Sequence, residues 1–247
     1  MQIAPHVHRI GSDSRINAYL LEEGGEVTIV DAAMGGYYDE LPRELAAMGR
    51  TMADVRAIVL THGHTDHVGF AERVRVERKV PVWVHELDEG IAAGTVKPKR
   101  TTGPTRVTSL LGFIWLAMLR GGLGRPRIYA LSTFGDGATL DVPGSPRVIL
   151  VPGHTPGSAA LHAQGADVLF VGDALATYAV TTGRRGPQIA PFTGDPAQAL
   201  ESLTRLEDLD ARIVLPGHGD AWTDGIGEAV KRIRATTGPS GFLETPA

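Results

Sequence analysis

Residues 62–67 read His-Gly-His-Thr-Asp-His, which places three imidazoles and one carboxylate within a single hexapeptide. Neutral imidazoles offer lone pairs that suit Zn²⁺ or Fe²⁺, and a carboxylate adds negative charge to such a site. Side chains of these types are costly to hold close together unless a cation lies between them. The hexapeptide therefore predicts a metal site that includes His62, His64, Asp66 and His67.

The segment before the hexapeptide, residues 56–60, is a short β-branched apolar run and predicts a buried strand. Three later apolar runs are each followed by one further candidate ligand: His154 after 148–151, Asp173 after 167–171, and His218 after 213–215. Side chains at the carboxyl ends of several strands converge on one crevice of a sheet. The sequence thus predicts one site that collects ligands from four strand ends.

This pattern resembles that of the metallo-β-lactamase-fold hydrolases from about residue 16 to residue 222. The resemblance rests on five motifs: Asp31 after the strand at 27–30, the block 62–67, His154, Asp173 and His218. It implies an α/β fold, a four-layer αβ/βα sandwich with two mixed β-sheets. We expect residues 1–247 to form one such domain.

The resemblance also implies a role for each ligand. The first metal would be held by His62, His64 and His154, and the second by Asp66, His67 and His218. Asp173 would bridge the two metals, and Asp31 would support the site from behind without binding metal. We expect two divalent ions, zinc foremost, with iron or manganese as alternatives.

Such a site performs hydrolysis. Two divalent ions about 3.5–4 Å apart can share a hydroxide that attacks a carbonyl carbon, while one ion stabilises the developing oxyanion. Asp66 is a candidate to accept or relay a proton. Tyr178, beyond the bridging position, is a weaker candidate for oxyanion stabilisation. The predicted function is cleavage of an ester, lactone or thioester in a small-molecule acyl substrate.

Alternatives from other classes stay open at this point. One is an oxidoreductase resembling persulfide dioxygenases, with a single Fe²⁺; others are a β-lactamase-like amide hydrolase and a non-catalytic binding module. Class B β-lactamases generally lack the bridging aspartate, whereas this chain has Asp173. Lactonases of the family usually carry a tyrosine where this chain has Ala176, which counts against that branch.

One segment has an unusual charge and hydrophobicity pattern. No acidic residue lies between Glu89 and Asp136, and the segment contains seven basic ones: Lys97, Lys99, Arg100, Arg106, Arg120, Arg125 and Arg127. Its centre, Leu110–Leu119, is apolar on every face and too short to span a bilayer. Three interpretations are open: a helix buried in the core or in a homodimer contact, a lid over the metals formed by about 95–130, or a helix at an anionic lipid surface. Candidate pocket residues are Phe113, Trp115, Met118 and His85.

Composition is that of a globular enzyme, because 247 residues with 43% hydrophobic content can bury one large core. The net charge of −4 argues against a nucleic-acid partner. No apolar stretch reaches the length of a transmembrane helix, and the first residues lack the pattern of a signal peptide, so we expect a cytoplasmic location. The absence of cysteine excludes disulfides and a thiol nucleophile.

The remaining pattern predicts the framework. Strands are expected at 7–10, 16–21, 27–30, 55–60 and 80–84, and helices at 38–48, 68–79 and 196–209. In the last helix Asp195 is a candidate N-cap, and the leucines at 200, 203, 206 and 209 form a stripe that faces the core. The tail after about Thr236 contains glycine and proline and is expected to fray.

Overall fold

The first half of the chain forms a seven-stranded mixed sheet in the computed structural model, which describes residues 1–11 and 13–238. Its strands are neighbours in chain order: β1 Gln2–Ala4, β2 Val7–Arg9, β3 Tyr19–Glu23, β4 Glu26–Val30, β5 Val55–Val59, β6 Val82–His85 and β7 Ser132–Phe134. The pairs from β1 to β4 are antiparallel and those from β4 to β7 are parallel. The predicted fraying of the tail concerns mainly residues 239–247, which lie outside the described residues.

The second half forms a four-stranded sheet in the order β13-β10-β9-β8. Its strands and the small hairpin between them are β8 Arg147–Leu150, β9 Ala159–Ala163, β10 Val168–Gly172, β11 Ala176–Tyr178, β12 Arg185–Gln188 and β13 Ile213–Pro216. The helices are α1 Leu41–Ala47, α2 Ala71–Arg78, α3 Glu89–Ala92, α4 Val107–Leu119, α5 Pro196–Ser202 and α6 Ile226–Thr236. Only β10 and β13 pair in parallel, so this sheet is also mixed.

Three apolar clusters lie between successive layers of the fold. Alternate residues of a strand point to opposite faces, so each sheet contributes to two clusters. Representative members are Ile58 and Val74 outside the first sheet, Val59 and Phe170 between the sheets, and Val214 and Ile233 outside the second sheet. The order helix, sheet, sheet, helix confirms the predicted αβ/βα sandwich.

Two predicted helices begin later than expected. Residues 35–40 form a 3-10 turn, and α1 starts only at Leu41, with Pro42 in its first turn. The helix predicted from residue 68 starts at Ala71, because the backbone N–H groups of Gly69 and Phe70 donate to the carbonyls of Ala33 and Ala32. These hydrogen bonds hold the start of that segment against the end of β4 instead of in a helix.

The predicted helix at 196–209 is shorter than expected, since α5 ends at Ser202 and a 3-10 turn follows. Its cap and stripe are confirmed. The Asp195 side chain accepts a hydrogen bond from the backbone N–H of Gln198 at 3.0 Å. Leu203 and Leu206 are fully buried against the second sheet.

Helix α4 packs on the sandwich through one face, as the interpretation as a packed helix expects, but it is not buried on every face. Leu116 and Ala117 pack into the outer cluster of the first sheet, and Phe113 is half-buried. The opposite face is exposed at Leu111, Ile114, Trp115, Met118 and Leu119. A lid, a contact with a second copy and a lipid-surface helix stay predictions. No helix among the described residues has the length and apolar character that crossing a membrane requires.

Candidate metal centre

All seven predicted ligands lie at the ends of β5, β10 and β13 and in the loop after β8. Within each of three groups, one ligand atom from every member lies within 4.8 Å of the others: His62, His64 and His154; Asp66, His67 and His218; and His62, His67 and Asp173. The first two groups are the two sets that the family resemblance implies. The third connects them, because it shares His62 with the first group and His67 with the second and adds Asp173.

The Asp173 carboxylate lies between the two main groups. One oxygen, Oδ1, is 3.6 Å from Nε2 of His67. The other, Oδ2, is 3.4 Å from Nε2 of His154 and 3.2 Å from Nε2 of His218. The carboxylate therefore lies within 3.6 Å of imidazoles of both groups.

Burial keeps the first group neutral. Removal from water lowers the pKa of His62 and His64 well below the ordinary value and lowers the pKa of His154 to about 4. A neutral imidazole is the form that donates a lone pair to a metal ion. Charge repulsion from the neighbouring imidazoles acts in the same direction on His62 and His64.

The second group has a different electrostatic environment. Burial would lower the pKa of His67, but the carboxylates of Asp31 and Asp173 outweigh it and raise that pKa to about 10. The pKa of His218 is raised mainly by Asp173, again against the effect of burial. Burial would raise the pKa of Asp173 itself, but the surrounding imidazoles hold it well below its usual range. The carboxylates thus favour positive charge in this half of the site.

Several ligand atoms have no hydrogen-bond partner among the described residues although they are buried: Nε2 of His62, His64 and His67, and Oδ1 of Asp173. A buried polar atom without a partner costs about 1–3 kcal/mol. In addition, Nδ1 of His64 and Nε2 of His154 face each other at 2.8 Å. A donor set of imidazoles and carboxylates with unpaired lone pairs directed inward fits divalent Zn, Fe or Mn.

Asp31 lies behind the second group, as the family resemblance implies. Its Oδ1 accepts a hydrogen bond from the backbone N–H of Thr61 at 2.8 Å, and its Oδ2 accepts one from the Thr61 hydroxyl at 2.8 Å. Nδ1 of His67 is 2.9 Å from the same Oδ2. Asp31 has a φ of 60°, a strained conformation that is typical of functional sites. The carboxylate holds the His67 ring with its Nε2 toward the site.

Two further contacts orient ligand rings, and sequence reasoning missed both. Nδ1 of His218 donates to the carbonyl oxygen of Arg15 at 2.5 Å. Nδ1 of His154 is 3.0 Å from the Thr193 hydroxyl, which itself donates to the carbonyl of Ala190 at 2.7 Å and therefore accepts from the imidazole. In both rings this directs Nε2 into the site, where that of His154 faces Nδ1 of His64 and that of His218 faces Oδ2 of Asp173.

Asp88 is the most consequential residue that the sequence did not reveal. It is fully buried at the turn before α3. Its carboxylate accepts hydrogen bonds from the backbone N–H groups of Gly63 and Gly157 and from the Thr155 hydroxyl. His85 caps this turn, since its Nδ1 accepts from the backbone N–H of Leu87 at 3.2 Å. Only its position after a strand end could have singled Asp88 out.

The two sheets meet tightly behind the site. The backbone N–H of Ala159 donates to the carbonyl of Thr61 at 2.9 Å. A Cβ on Gly172 would lie 2.2 Å from the Thr61 hydroxyl oxygen, and Gly172 has a φ of 49°. Glycine at the end of β10 therefore lets Asp173 approach the ligands that follow β5.

Of the remaining predicted site residues, some lie beside the metal centre and others lie away from it. The backbone N–H of Tyr178 donates to the carbonyl of His218 at 3.2 Å, so this tyrosine lies beside the second group. The Phe113 ring is 6.5 Å from the His218 ring, centroid to centroid. Trp115 and Met118, which are 60% and 50% exposed, lie on the outward face of α4 away from that ring.

Comparison with known proteins agrees with this geometry. A sequence profile of the metallo-beta-lactamase superfamily matches residues 11–218. This chain belongs to the metallo-beta-lactamase superfamily. The match runs from the loop after β2 to His218 and spans every predicted ligand.

Relatives within the superfamily cover most of the chain. The probable metallo-hydrolase YflN of Bacillus subtilis (strain 168) is 30% identical in an alignment of 221 residues that covers 82% of this chain and 80% of YflN. The metallo-beta-lactamase family protein TTHA1429 from Thermus thermophilus is 26% identical with a TM-score of 0.65, covering 94% of this chain and 79% of TTHA1429. TTHA1623, solved in a di-iron-bound form, is 28% identical with a TM-score of 0.62. The match covers 89% of this chain and 95% of TTHA1623.

Proposed function

We propose that this protein is a dinuclear metal-dependent hydrolase that cleaves an ester, lactone or thioester. The observation that carries the proposal is the pair of three-residue ligand groups with the Asp173 carboxylate between them. In the proposal the first metal would be held by His62, His64 and His154, and the second by Asp66, His67 and His218. The Asp173 carboxylate would serve both metals.

Divalent ions bound there would supply Lewis acidity, which lowers the pKa of water and polarises a carbonyl oxygen. The chain's own residues then handle the proton. Asp66 is the least buried ligand, with a side chain that is 18% exposed, and its Oδ2 is 3.5 Å from Nε2 of His218. We assign Asp66 the transfer of a proton at the open side of the site. The Tyr178 hydroxyl is our candidate for a hydrogen bond to the substrate oxygen.

Substrate binding in this proposal involves the insertion, which is the segment without acidic residues between Glu89 and Asp136. Phe113 presents an apolar ring beside the second group, and α4 carries it there as one wall of the site. An apolar wall suits the carbon chain of a small-molecule acyl substrate. Zinc is our first choice of metal because tetrahedral nitrogen and oxygen ligands suit it. Iron is the alternative to zinc, because TTHA1623 has been solved in a di-iron-bound form.

The test combines metal analysis with a substrate panel. Purified protein is loaded with zinc, and proton release is followed with lactones, thioesters, aryl esters and β-lactams. We expect close to two metals per chain and hydrolysis of at least one acyl class. His64→Ala should lose both metal and activity, whereas His6→Ala, at an exposed site outside the cluster, should retain them.

Two results would contradict the proposal. One is equal activity and full metal content in the wild type and His64→Ala. The other is a single bound iron with oxygen consumption on a persulfide, which identifies a dioxygenase instead.

A further inference from the structure

A cavity of about 520 Å³ opens beside the first ligand loop. Gly63 and Thr65, which alternate with the ligands of that loop, form part of its lining. Residues 94–98 and Arg100 form a second part, and residues 125–127 form a third. The cavity therefore adjoins the metal centre, and most of its wall comes from the acid-free insertion.

The charged side chains that line this cavity are all basic: Lys97, Arg100, Arg125 and Arg127. Across the part of the chain that the structure describes, none of the four forms an ion pair within 4.0 Å. By contrast, Arg120 in the same insertion pairs with Glu40. All four residues are exposed, and like charges gathered in an open concavity repel one another. A bound anion would reduce this repulsion among the basic side chains.

The wall is held in place on both sides. The backbone N–H of Thr101 donates to the carbonyl of Thr193 at 3.0 Å, and the Thr193 hydroxyl contacts His154. Across the cavity, the stem of Arg127 packs against Gly94, where an added Cβ would lie 2.9 Å from its Cγ. The basic groups are therefore carried by backbone that is tied to the ligand loops.

We infer that this cavity binds an anionic oxygen group, a carboxylate or a phosphate, at the end of the substrate away from the scissile bond. The inference rests on the proposed hydrolase function and narrows its substrate class to anionic acyl compounds. Guanidinium groups recognise carboxylate and phosphate through paired N–H donors, and such charge-assisted hydrogen bonds are the strong ones. Three of the four basic residues are arginines, which suits this recognition.

The test compares matched substrates. Nitrophenyl esters are prepared with acyl chains that end in a carboxylate, a phosphonate or an uncharged carboxamide. For the metal-loaded wild type we expect kcat/KM to be at least about tenfold higher for one anionic ester than for the carboxamide, the effect of one charged hydrogen bond. The better anion tells whether the cavity takes a carboxylate or a phosphate.

Two double variants isolate the cavity. Arg100→Gln with Arg125→Gln removes two lining charges. Lys99→Gln with Arg106→Gln removes two charges from the same insertion at exposed positions that do not line the cavity. The anionic preference should collapse in the first double variant and persist in the second. A general electrostatic effect would reduce it equally in both.

Calorimetric titration of the metal-loaded proteins with glutarate and with inorganic phosphate gives a second readout. We expect the affinity for one of them to fall at least about tenfold in the cavity variant alone. If esters are cleaved without anionic preference and both anions bind all variants equally, the inference is wrong and the hydrolase proposal stands. If no ester is cleaved but anion affinity still falls in the cavity variant alone, the hydrolase proposal fails and the anion site stands.

Discussion

The Asp88 carboxylate accepts a hydrogen bond from the backbone N–H of Gly63 at 2.8 Å. Gly63 lies between His62 and His64, two candidate ligands of the first group. Asp88 also accepts hydrogen bonds from the Thr155 hydroxyl and the Gly157 N–H, both at 2.7 Å. Thr155 and Gly157 belong to the loop that carries His154, the third candidate ligand of this group. One buried carboxylate thus joins the two loops that form this group. Burial raises the pKa of Asp88 even though these donors favour its charged form.

Removal of this carboxylate should loosen the first group. In Asp88→Ala the donors of Gly63, Gly157 and Thr155 lose their acceptor, and each buried donor left unsatisfied costs about 1–3 kcal/mol. We expect the free energy of unfolding to fall by about 3 kcal/mol or more and metal occupancy to fall below that of the wild type. Denaturant unfolding and elemental analysis measure these two quantities. Asp88→Asn, which keeps one oxygen acceptor, should be intermediate, and wild-type values for both variants would refute the assigned role.

Asp31 should govern the second group through His67. In Asp31→Asn the amide cannot supply both oxygen acceptors, so the hydrogen bonds from Thr61 and His67 compete. Loss of such a supporting partner lowers metal affinity by about 10–100-fold. Competition titration with a chelating dye should show one of the two metals weakened. Asp39→Asn, at an exposed position, is the control, and an unchanged titration of Asp31→Asn would contradict the prediction.

Gly217 should tolerate no side chain, because of the ligands next to it. A Cβ at this position would lie 2.3 Å from Oδ1 of Asp173 and 2.5 Å from Cε1 of His67. We expect Gly217→Ala to displace these ligands and to lower metal content and stability. Gly112→Ala in α4 is the matched control, because nothing lies within 4 Å of its added Cβ, and an alanine there should stabilise the helix by about 0.5–1 kcal/mol. Normal metal binding by Gly217→Ala would show that the site can shift to accommodate it.

Acid stability should depend on Glu22, which lies away from the metal centre. The hydrogen bond from His6, with those from Gly25 and Arg50, lowers the pKa of Glu22 from 4.5 to about 2. A carboxylate whose pKa is lower in the folded state stabilises the fold above its unfolded pKa and loses this contribution as the pH falls toward the folded pKa. A shift of this size corresponds to about 3 kcal/mol, which solvent screening at this surface reduces to about 1 kcal/mol.

The measurement is the free energy of unfolding of the wild type and Glu22→Gln as a function of pH. The wild type should be more stable above about pH 5, and the difference should disappear between about pH 4.5 and pH 2. If the difference in the free energy of unfolding between the wild type and Glu22→Gln stays constant from about pH 7 to about pH 2, the role assigned to Glu22 is wrong.

The candidate ligands could be named from the sequence because much of their signal is local. His62, His64, Asp66 and His67 are adjacent in the chain, and the apolar runs before Asp173 and His218 mark strand ends. Strand ends of one sheet share an edge, which indicated a single crevice; in the structure that crevice lies between two sheets, since β5 belongs to the first and β8, β10 and β13 to the second. The family resemblance supplied the layered fold, which the clusters on both faces of each sheet confirm.

Local pattern failed where distant backbone competes with local propensity. Residues 68–70 have helical spacing, but their backbone bonds to Ala32 and Ala33. The segment Leu110–Leu119 is apolar all round, and only packing against the first sheet decides which face is buried. Neither outcome is encoded within the segment itself.

The sequence by itself determined which side chains can bind metal and that strands deliver them. Only the tertiary structure decided which contacts orient those side chains. These contacts are the hydrogen bonds of the Asp88 carboxylate to two loops, of the Thr193 hydroxyl to His154, and of the Arg15 carbonyl to His218. These contacts join residues far apart in the chain, and two of them involve backbone groups that every residue possesses. Because a backbone donor or acceptor leaves no mark in the sequence, its partner is fixed only when the two sheets pack together.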